Sequence, residues 1–483
     1  MSRALAGLLL GAALVTGVPA PAAAAAPQAL RWTECGDSME CAKLTVPIDW
    51  KRPYGPKTQV DLARMPARDP ARKLGSLVVN TGGGGTIQPV RAMPGVVSEL
   101  TTWYDVVLID PRGMGDKGSP TLVECEEQPP GLAGLILAPD EAGWRAHAKA
   151  IAAYDASCRK AMGAAYAGLT SWQVAHDIEA LRAALGEPRL RYFGNSYGTV
   201  YGQAYLELFP AKVGRMVLDG APDHTRPSLE RWLLDYARTE ERQLERFRDW
   251  CKAGCALGDD DAIAVFDELR DRAPLPAGER TVGEQEFLLG VMSGLTPPLW
   301  PRLAAALRKA ADGDASDLLT LRPEKPPADE PGYPHGVMLC HDFMPDVPGY
   351  REFQAIESRL RAAAPRIGWV HGRYQLARCV GMSKGPAYPP HPLRAKGVPP
   401  VLISIGDTDD NTPHLAAEHL AAQVPGARVV RHGDGHAAYL MQSASGLGKT
   451  CLRRYVHDYL TAGALPPDGA RCPGDLVARI PRG

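Results

Sequence analysis

This chain reads as an α/β protein: a mostly parallel sheet with helices on both faces, interrupted by a large and mainly helical insertion. Three features carry that reading. Short apolar runs bounded by Gly, Pro or Asp alternate with helical stretches, the pattern of βαβ units. One such run, Leu190-Arg191-Tyr192-Phe193, passes into a helix through Gly194-Asn195-Ser196-Tyr197-Gly198, where the glycines permit a tight crossing of strand and helix. The alternation stops near Pro222 and resumes near Pro399, which places an insertion inside one sheet.

Taken in order, residues 1–26 are assigned to an export signal. Arg3 supplies its positive start, residues 4–18 its apolar stretch, and the alanines of 22–26 its small-residue cleavage sites. The apolar stretch is shorter than the ~20 residues a spanning helix needs, and Pro19 and Pro21 break it, so no stable membrane insertion is expected. Residues 27–222 form the first part of the core, with strands at 75–79 and 104–110, a helix at 171–185, a strand at 190–193, a helix at 199–209 and a strand at 213–218. The first strand ends in Gly82-Gly83-Gly84-Gly85, the second in Pro111-Arg112-Gly113. Residues 223–396 form the inserted lid: Glu240, Glu241, Arg242, Glu245, Arg246 and Arg248 give a charged helical periodicity, and 323–333 is Pro-rich. Residues 397–483 return to the core pattern, with a strand at 399–405, a helix at 413–424 and a strand at 427–431.

Composition narrows the function. A chain of 483 residues, 45% hydrophobic and 23% charged, can bury a large core as a soluble globular protein. Its net charge of -1 gives no electrostatic reason to expect nucleic acid or an anionic membrane as partner. All ten cysteines follow the export signal, an even number in an oxidising setting, which favours disulfides. Proximity suggests Cys35–Cys41, Cys251–Cys255 and Cys451–Cys472, then Cys125–Cys158 and Cys340–Cys379, although sequence alone leaves other connectivities open. No Cys-x-x-Cys pair and no Cys/His set has zinc spacing, so no metal is expected. Gly113-Met114-Gly115-Asp116-Lys117-Gly118 has dinucleotide-binding spacing, but Ser119-Pro120 stands where the anion-binding helix should start, so no cofactor is expected either.

Gly-x-Ser-x-Gly between a strand and a helix is the nucleophile elbow of the α/β-hydrolase fold, which lifts a serine hydroxyl above the sheet. Serine is a weak nucleophile that needs a base, and the base needs an orienting acid. In this fold they follow in the order Ser, Asp or Glu, His, past the ends of strands. Asp407, Asp409 and Asp410 follow one late strand, and His432 and His436 the next. Asp409 sits far enough out on its loop to turn back towards a histidine. Asp407 leaves the strand at once, and Asp410 with Asn411 can cap the helix that Pro413 starts. Asp219 reads as a turn residue, and His432 is still at a strand end, whereas His436 follows the turn Gly433-Asp434-Gly435. The assignment is therefore Ser196, Asp409 and His436, with Asp407 and Asp410 left as alternatives for the acid. The backbone N–H groups of Tyr197 and of the glycine loop, placed at Gly83, form the expected oxyanion hole. A phosphate loop is disfavoured because no Lys-Ser/Thr pair follows the glycines.

Together these residues resemble the secreted α/β-hydrolases of the tripeptidyl aminopeptidase type, relatives of the prolyl aminopeptidases common in actinomycetes. The pattern runs through Trp32, Cys35, Cys41, Leu44-Thr45-Val46-Pro47-Ile48-Asp49-Trp50, the glycine loop, Asp110-Pro111-Arg112-Gly113, the elbow and Asp219-Gly220. It closes with Gly406, Asp409, Thr412-Pro413, Gly435-His436, Cys451 and Cys472. The resemblance implies the same Ser196, Asp409 and His436, and release of short peptides, tripeptides above all, from free N-termini by a secreted monomer. A secreted carboxylesterase with the same triad is the alternative, because fold does not settle substrate. Recognition of a free N-terminus needs carboxylates in the lid to meet the substrate ammonium. Glu240, Glu241 and Asp342 are the candidates; for the first two a solvated helix face is the ordinary alternative. The family usually has Pro where this chain has Gly84, and its turn after Arg112 is one residue shorter.

Overall fold

The computed structural model describes residues 28–115, 118–321, 332–385 and 387–482. The export signal assigned to 1–26, most of the Pro-rich stretch 323–333, and Asp116 and Lys117 lie outside the described residues. Among the described residues the main sheet has ten strands. The chain enters through β1 (Thr33–Glu34), β2 (Glu40–Pro47) and β3 (Lys57–Met65), an antiparallel edge that the sequence reading did not resolve into strands. Then follow β4 (Ser76–Asn80), β5 (Asp105–Ile109), β6 (Leu190–Asn195) and β7 (Val213–Asp219). The insertion holds a separate hairpin, β8 (Leu275–Ala277) with β9 (Arg280–Val282). The main sheet resumes with β10 (Leu402–Gly406), β11 (Arg428–His432) and β12 (Ala470–Cys472). Its order is β1-β2-β3-β5-β4-β6-β7-β10-β11-β12, parallel from β5 onward.

The parallel strands read as continuous apolar runs because both faces are covered. Alternate residues feed two cores. Val78, Val107, Ile109, Tyr192, Leu218 and Ile403 point to one; Leu77, Val79, Val106, Leu108, Phe193 and Val217 point to the other. The helices that matter to the site are α1 (Glu141–Met162), α2 (Ser171–Ala184), α3 (Gly198–Leu208), α4 (Leu229–Cys251), α5 (His335–Phe343), α6 (Gly368–Leu376) and α7 (His414–Gln423). Thr170 and Ser228 cap α2 and α4 by accepting from Gln173 and Arg231 N–H, so their starts are fixed locally. Between β7 and β10 lie α4, α5 and α6, and α6 packs along α4.

All ten cysteines pair: Cys35–Cys41, Cys125–Cys158, Cys251–Cys255, Cys340–Cys379 and Cys451–Cys472. The fourth joins α5 to the turn just past α6. No helix among the described residues is long and apolar enough to cross a membrane.

Candidate active site

Gly83, Ser196, Asp409 and His436 each lie past the carboxyl end of a parallel strand, the edge where open α/β sheets bind ligands. Ser196 follows β6 with φ +52, a left-handed conformation that costs a non-glycine residue energy and survives only when its surroundings enforce it. The surroundings do so. Ser196 N–H donates to Asp219 O at 3.0 Å, and Asn195 Nδ2 donates to the same carbonyl at 3.0 Å. A Cβ on Gly198 would lie 2.6 Å from Asn80 O, and one on Gly194 2.7 Å from Gly198 O, so both glycines are required by close approach. Asp219 is fully buried. Its carboxylate accepts from Asn195 Nδ2 and from Ser404 Oγ, so the turn residue of the sequence reading ties β6, β7 and β10 together beneath the serine.

Asp409 and His436 meet. His436 Nδ1 lies 3.0 Å from Asp409 Oδ2, and Asp409 Oδ1 accepts from the N–H groups of Asn411 and Thr412 at 3.0 and 2.8 Å. Thr412 Oγ1 donates to Asp409 Oδ2 at 2.6 Å and lies 3.3 Å from His436 Nδ1. Thr412 thus completes the hydrogen bonding of Asp409, a role that its place in the sequence pattern did not disclose. The alternatives are occupied elsewhere: Asp407 faces Arg431 and Arg471 at 3.4 Å, and Asp410 accepts from Thr296 Oγ1 at 2.5 Å. Gly220 (φ +57) backs the pair, since a Cβ there would stand 3.1 Å from both Asp409 Oδ2 and His436 Nδ1. Burial works against charge on Asp409, yet the neighbouring His436 charge and the bonds from His436 and Thr412 outweigh it and hold the carboxyl below its ordinary range. Burial also disfavours a charged His436, but Asp409, then Asp219 and Asp410, push the imidazole up to about 9.

The glycine loop rests on the elbow. Gly82 (φ +83) is the close contact, because a Cβ on it would lie 2.6 Å from Asn195 O and 2.7 Å from Ser196 Cβ. Its N–H donates to Asn80 Oδ1 at 3.0 Å. Among the described residues, Gly83 N–H and Tyr197 N–H have no hydrogen-bond acceptor, so both remain available as donors. Tyr197 is locked from the far side: its hydroxyl donates to Asp342 Oδ2 at 2.5 Å, and its ring packs on His335 with centroids 5.2 Å apart.

The three carboxylates considered for a substrate ammonium separate sharply. Asp342 is buried and accepts from Ser171 N–H, Ser171 Oγ and Tyr197 Oη, so it supports the elbow. Glu241 accepts the N–H groups of Arg366, Ile367 and Gly368 at the start of α6. Glu240 lies on neither a solvated face nor a cap. It is 2% exposed, and its Oε1 has no hydrogen-bond partner among the described residues. The other oxygen faces His371 Nδ1 at 3.0 Å. Trp232, Tyr236 and Glu240 follow one another at helical spacing on α4, and the same face docks on the 408–411 loop through Tyr236 Oη to Asn411 O at 3.1 Å and Gln243 Nε2 to Thr408 O at 2.7 Å. An aromatic wall runs from the elbow to this point: Tyr197–Phe343, Phe343–Trp232, Trp232–Tyr236 and Tyr236–His371, with centroids 6.1, 5.7, 4.7 and 5.0 Å apart. Burial, then the charge of Glu240, raise Asp410 to about 6 against the bond from Thr296.

Residues 75–284 match the family model described as alpha/beta hydrolase fold, and 368–472 match the one described as TAP-like protein. Serine protease Hip1 of Mycobacterium tuberculosis is 30% identical, over 92% of this chain and 91% of that protein. The chain belongs to the TAP-like α/β-hydrolase family. It is a serine hydrolase of the peptidase type. Tripeptidyl aminopeptidase of Streptomyces coelicolor is 27% identical over 94% of this chain and 88% of that protein. Carboxylesterase B of M. tuberculosis is 27% identical over 89% of this chain and 86% of that protein.

Proposed function

We propose that this protein is an exported serine exopeptidase that releases short peptides, with tripeptides as the expected product, from free N-termini through an acyl-enzyme on Ser196. Ser196 Oγ attacks the scissile carbonyl while His436 Nε2 takes its proton. Asp409, bonded to Nδ1, holds the ring and offsets the charge it gains. Tyr197 N–H and Gly83 N–H receive the oxyanion. When the C–N bond breaks, His436 returns the proton to the departing amine. Water then attacks the acyl-enzyme by the same steps, releasing the peptide acid and restoring Ser196. The strained serine, the Asp409–His436 bond and the two open N–H donors support these roles. Export is supported by the N-terminal sequence and by the pairing of all ten cysteines.

The observation that carries the N-terminal preference is Glu240. A buried carboxylate oxygen without a partner costs about 1–3 kcal/mol or more, a cost relieved when a cation arrives. With Asp410 beside it, Glu240 supplies the acidic end of an aromatic-walled approach to Ser196. A substrate ammonium meets both requirements. Hydrolysis of matched peptides with free and acetylated N-termini tests this, alongside a short-chain acyl ester. Free peptides should be cleaved and acetylated ones resisted. Glu240→Gln should lower kcat/KM on the free peptides roughly 10- to 100-fold, the size of a charge-assisted bond, and leave the acetylated ones unaffected. Cleavage of the ester alone would instead establish the carboxylesterase reading.

A further inference from the structure

Past Glu240 the wall continues along α6. On α6 and the turn beyond it, His371, Gln375 and Arg378 share one face. Arg378 Nε donates to Gln375 Oε1 at 3.1 Å, which fixes the amide so that its Nε2 lies 2.9 Å from His371 Nε2. His371 therefore accepts at Nε2 and donates from Nδ1 to Glu240 Oε2. The chain of bonds runs from a guanidinium to a carboxylate without bringing the two charges together. Among the described residues no carboxylate pairs with Arg378, which is half-buried and lies over Tyr374, 5.5 Å from the ring centroid. Its charge is felt at His335, beside the elbow, and at Tyr236, beside Glu240. A half-buried guanidinium with spare donors and no counter-ion among the described residues can take a planar anion, which it binds in a fork.

We propose that Arg378 reads a carboxylate on the bound peptide, so that the site holds short peptides carrying both an ammonium and a carboxylate. The inference rests on the peptide reading above, with the ammonium at Glu240. From residue 371 to residue 378 the helical rise of 1.5 Å per residue spans about 10 Å. An extended peptide covers that in about three residues. The carboxylate read is therefore either the C-terminus of a bound tripeptide, the product of the proposed cleavage, or an acidic side chain at the third position of a longer substrate.

The test uses inhibition of short-chain ester hydrolysis, so its readout does not depend on peptide cleavage. One arm compares a tripeptide acid with its amide; the other compares amidated tetrapeptides with Glu or Gln in third place. In the wild-type protein the carboxylate form of at least one pair should inhibit about ten-fold more tightly, and the pair that discriminates names the source. Arg378→Gln should abolish that ratio, and Arg378→Lys should keep part of it. Equal inhibition within both pairs of the wild-type protein, or a ratio that survives in Arg378→Gln, overturns the proposal. A wild-type protein that discriminates in this way but cleaves no peptide bond would sink the exopeptidase reading instead.

Discussion

Replacing Gly82 by Ala separates the oxyanion loop from the rest of the machinery. At φ +83 an alanine is strained by about 1–2 kcal/mol. Its Cβ would also stand 2.6 Å from Asn195 O, 2.7 Å from Ser196 Cβ and 3.0 Å from Tyr197 N. The nearest neighbours are backbone and the nucleophile itself, so no flexible side chain can yield. Restoring ordinary contact means moving the loop by several tenths of an ångström, which carries the Gly83 N–H out of line. Loss of one oxyanion donor is worth roughly 10²–10³ in kcat, about 2.7–4 kcal/mol. Gly84 provides the control: a Cβ there would meet only His335 Cβ, at 3.8 Å, and its φ is not positive. Gly84→Ala should therefore keep kcat within about three-fold of the parent, a change of well under 1 kcal/mol. The assay is turnover of an activated ester, normalised by titration of Ser196 with a fluorophosphonate so that misfolded protein is not counted. A Gly82→Ala protein with near-normal kcat per titrated serine would refute the contact argument. Equal losses in both variants would refute it too.

Two further predictions concern the acid and the base. Asp409→Asn should lower kcat about 10³- to 10⁴-fold, while Asp407→Asn, whose carboxylate pairs with Arg431 and Arg471, should stay near the parent; the reverse order in steady-state kinetics would move the acid to Asp407. His436 must be neutral to act as a base, so with its pKa pushed up to about 9 the kcat/KM profile should still be rising well above neutrality. Asp410→Asn removes one of the charges responsible and should move that limb to lower pH; an unchanged limb, or one already flat at pH 7, would contradict this. The same shift has a sign for stability. Because the folded value lies above the ordinary 6.5, the His436 contribution is complete below about pH 6.5 and is lost as pH rises through about 9.

The strands and helices around the elbow were legible because parallel strands buried on both faces are short apolar runs closed by Gly or Asp. The strand expected at 190–193 and the helix expected at 199–209 correspond to β6 and α3 with shifts of one or two residues. The β2–β3 hairpin was not legible, since its half-exposed strands mix Lys43, Thr45 and Gln59 among the apolar positions. For the acid, loop geometry and helix capping favoured Asp409, and the structure brings it to His436. Glu240 and Glu241 were indistinguishable in sequence. Adjacent helix positions point about 100° apart, and only the docking of α4 on the 408–411 loop and on α6 decides which one is enclosed. Asp342 looked equally available beside Cys340. Its true neighbours, Ser171 and Tyr197, come from distant parts of the chain, and no local pattern announces them.

The bond between Cys340 and Cys379 separates two kinds of inheritance in this molecule. Ser196, Asp409 and His436 stand just past the ends of sheet strands and owe their arrangement to them. His335, Phe343 and Arg378 stand on the insertion, and this one covalent link holds both helical stretches that carry them. The residues proposed for reaction and for recognition are thus mounted on different frames, which meet where Asp342 holds Tyr197 and where α4 rests on the 408–411 loop. Proteins named as a protease, an aminopeptidase and a carboxylesterase lie at similar distance from this chain, as expected where one fold hosts different substrates and the residues around the strand ends need not set which one is taken.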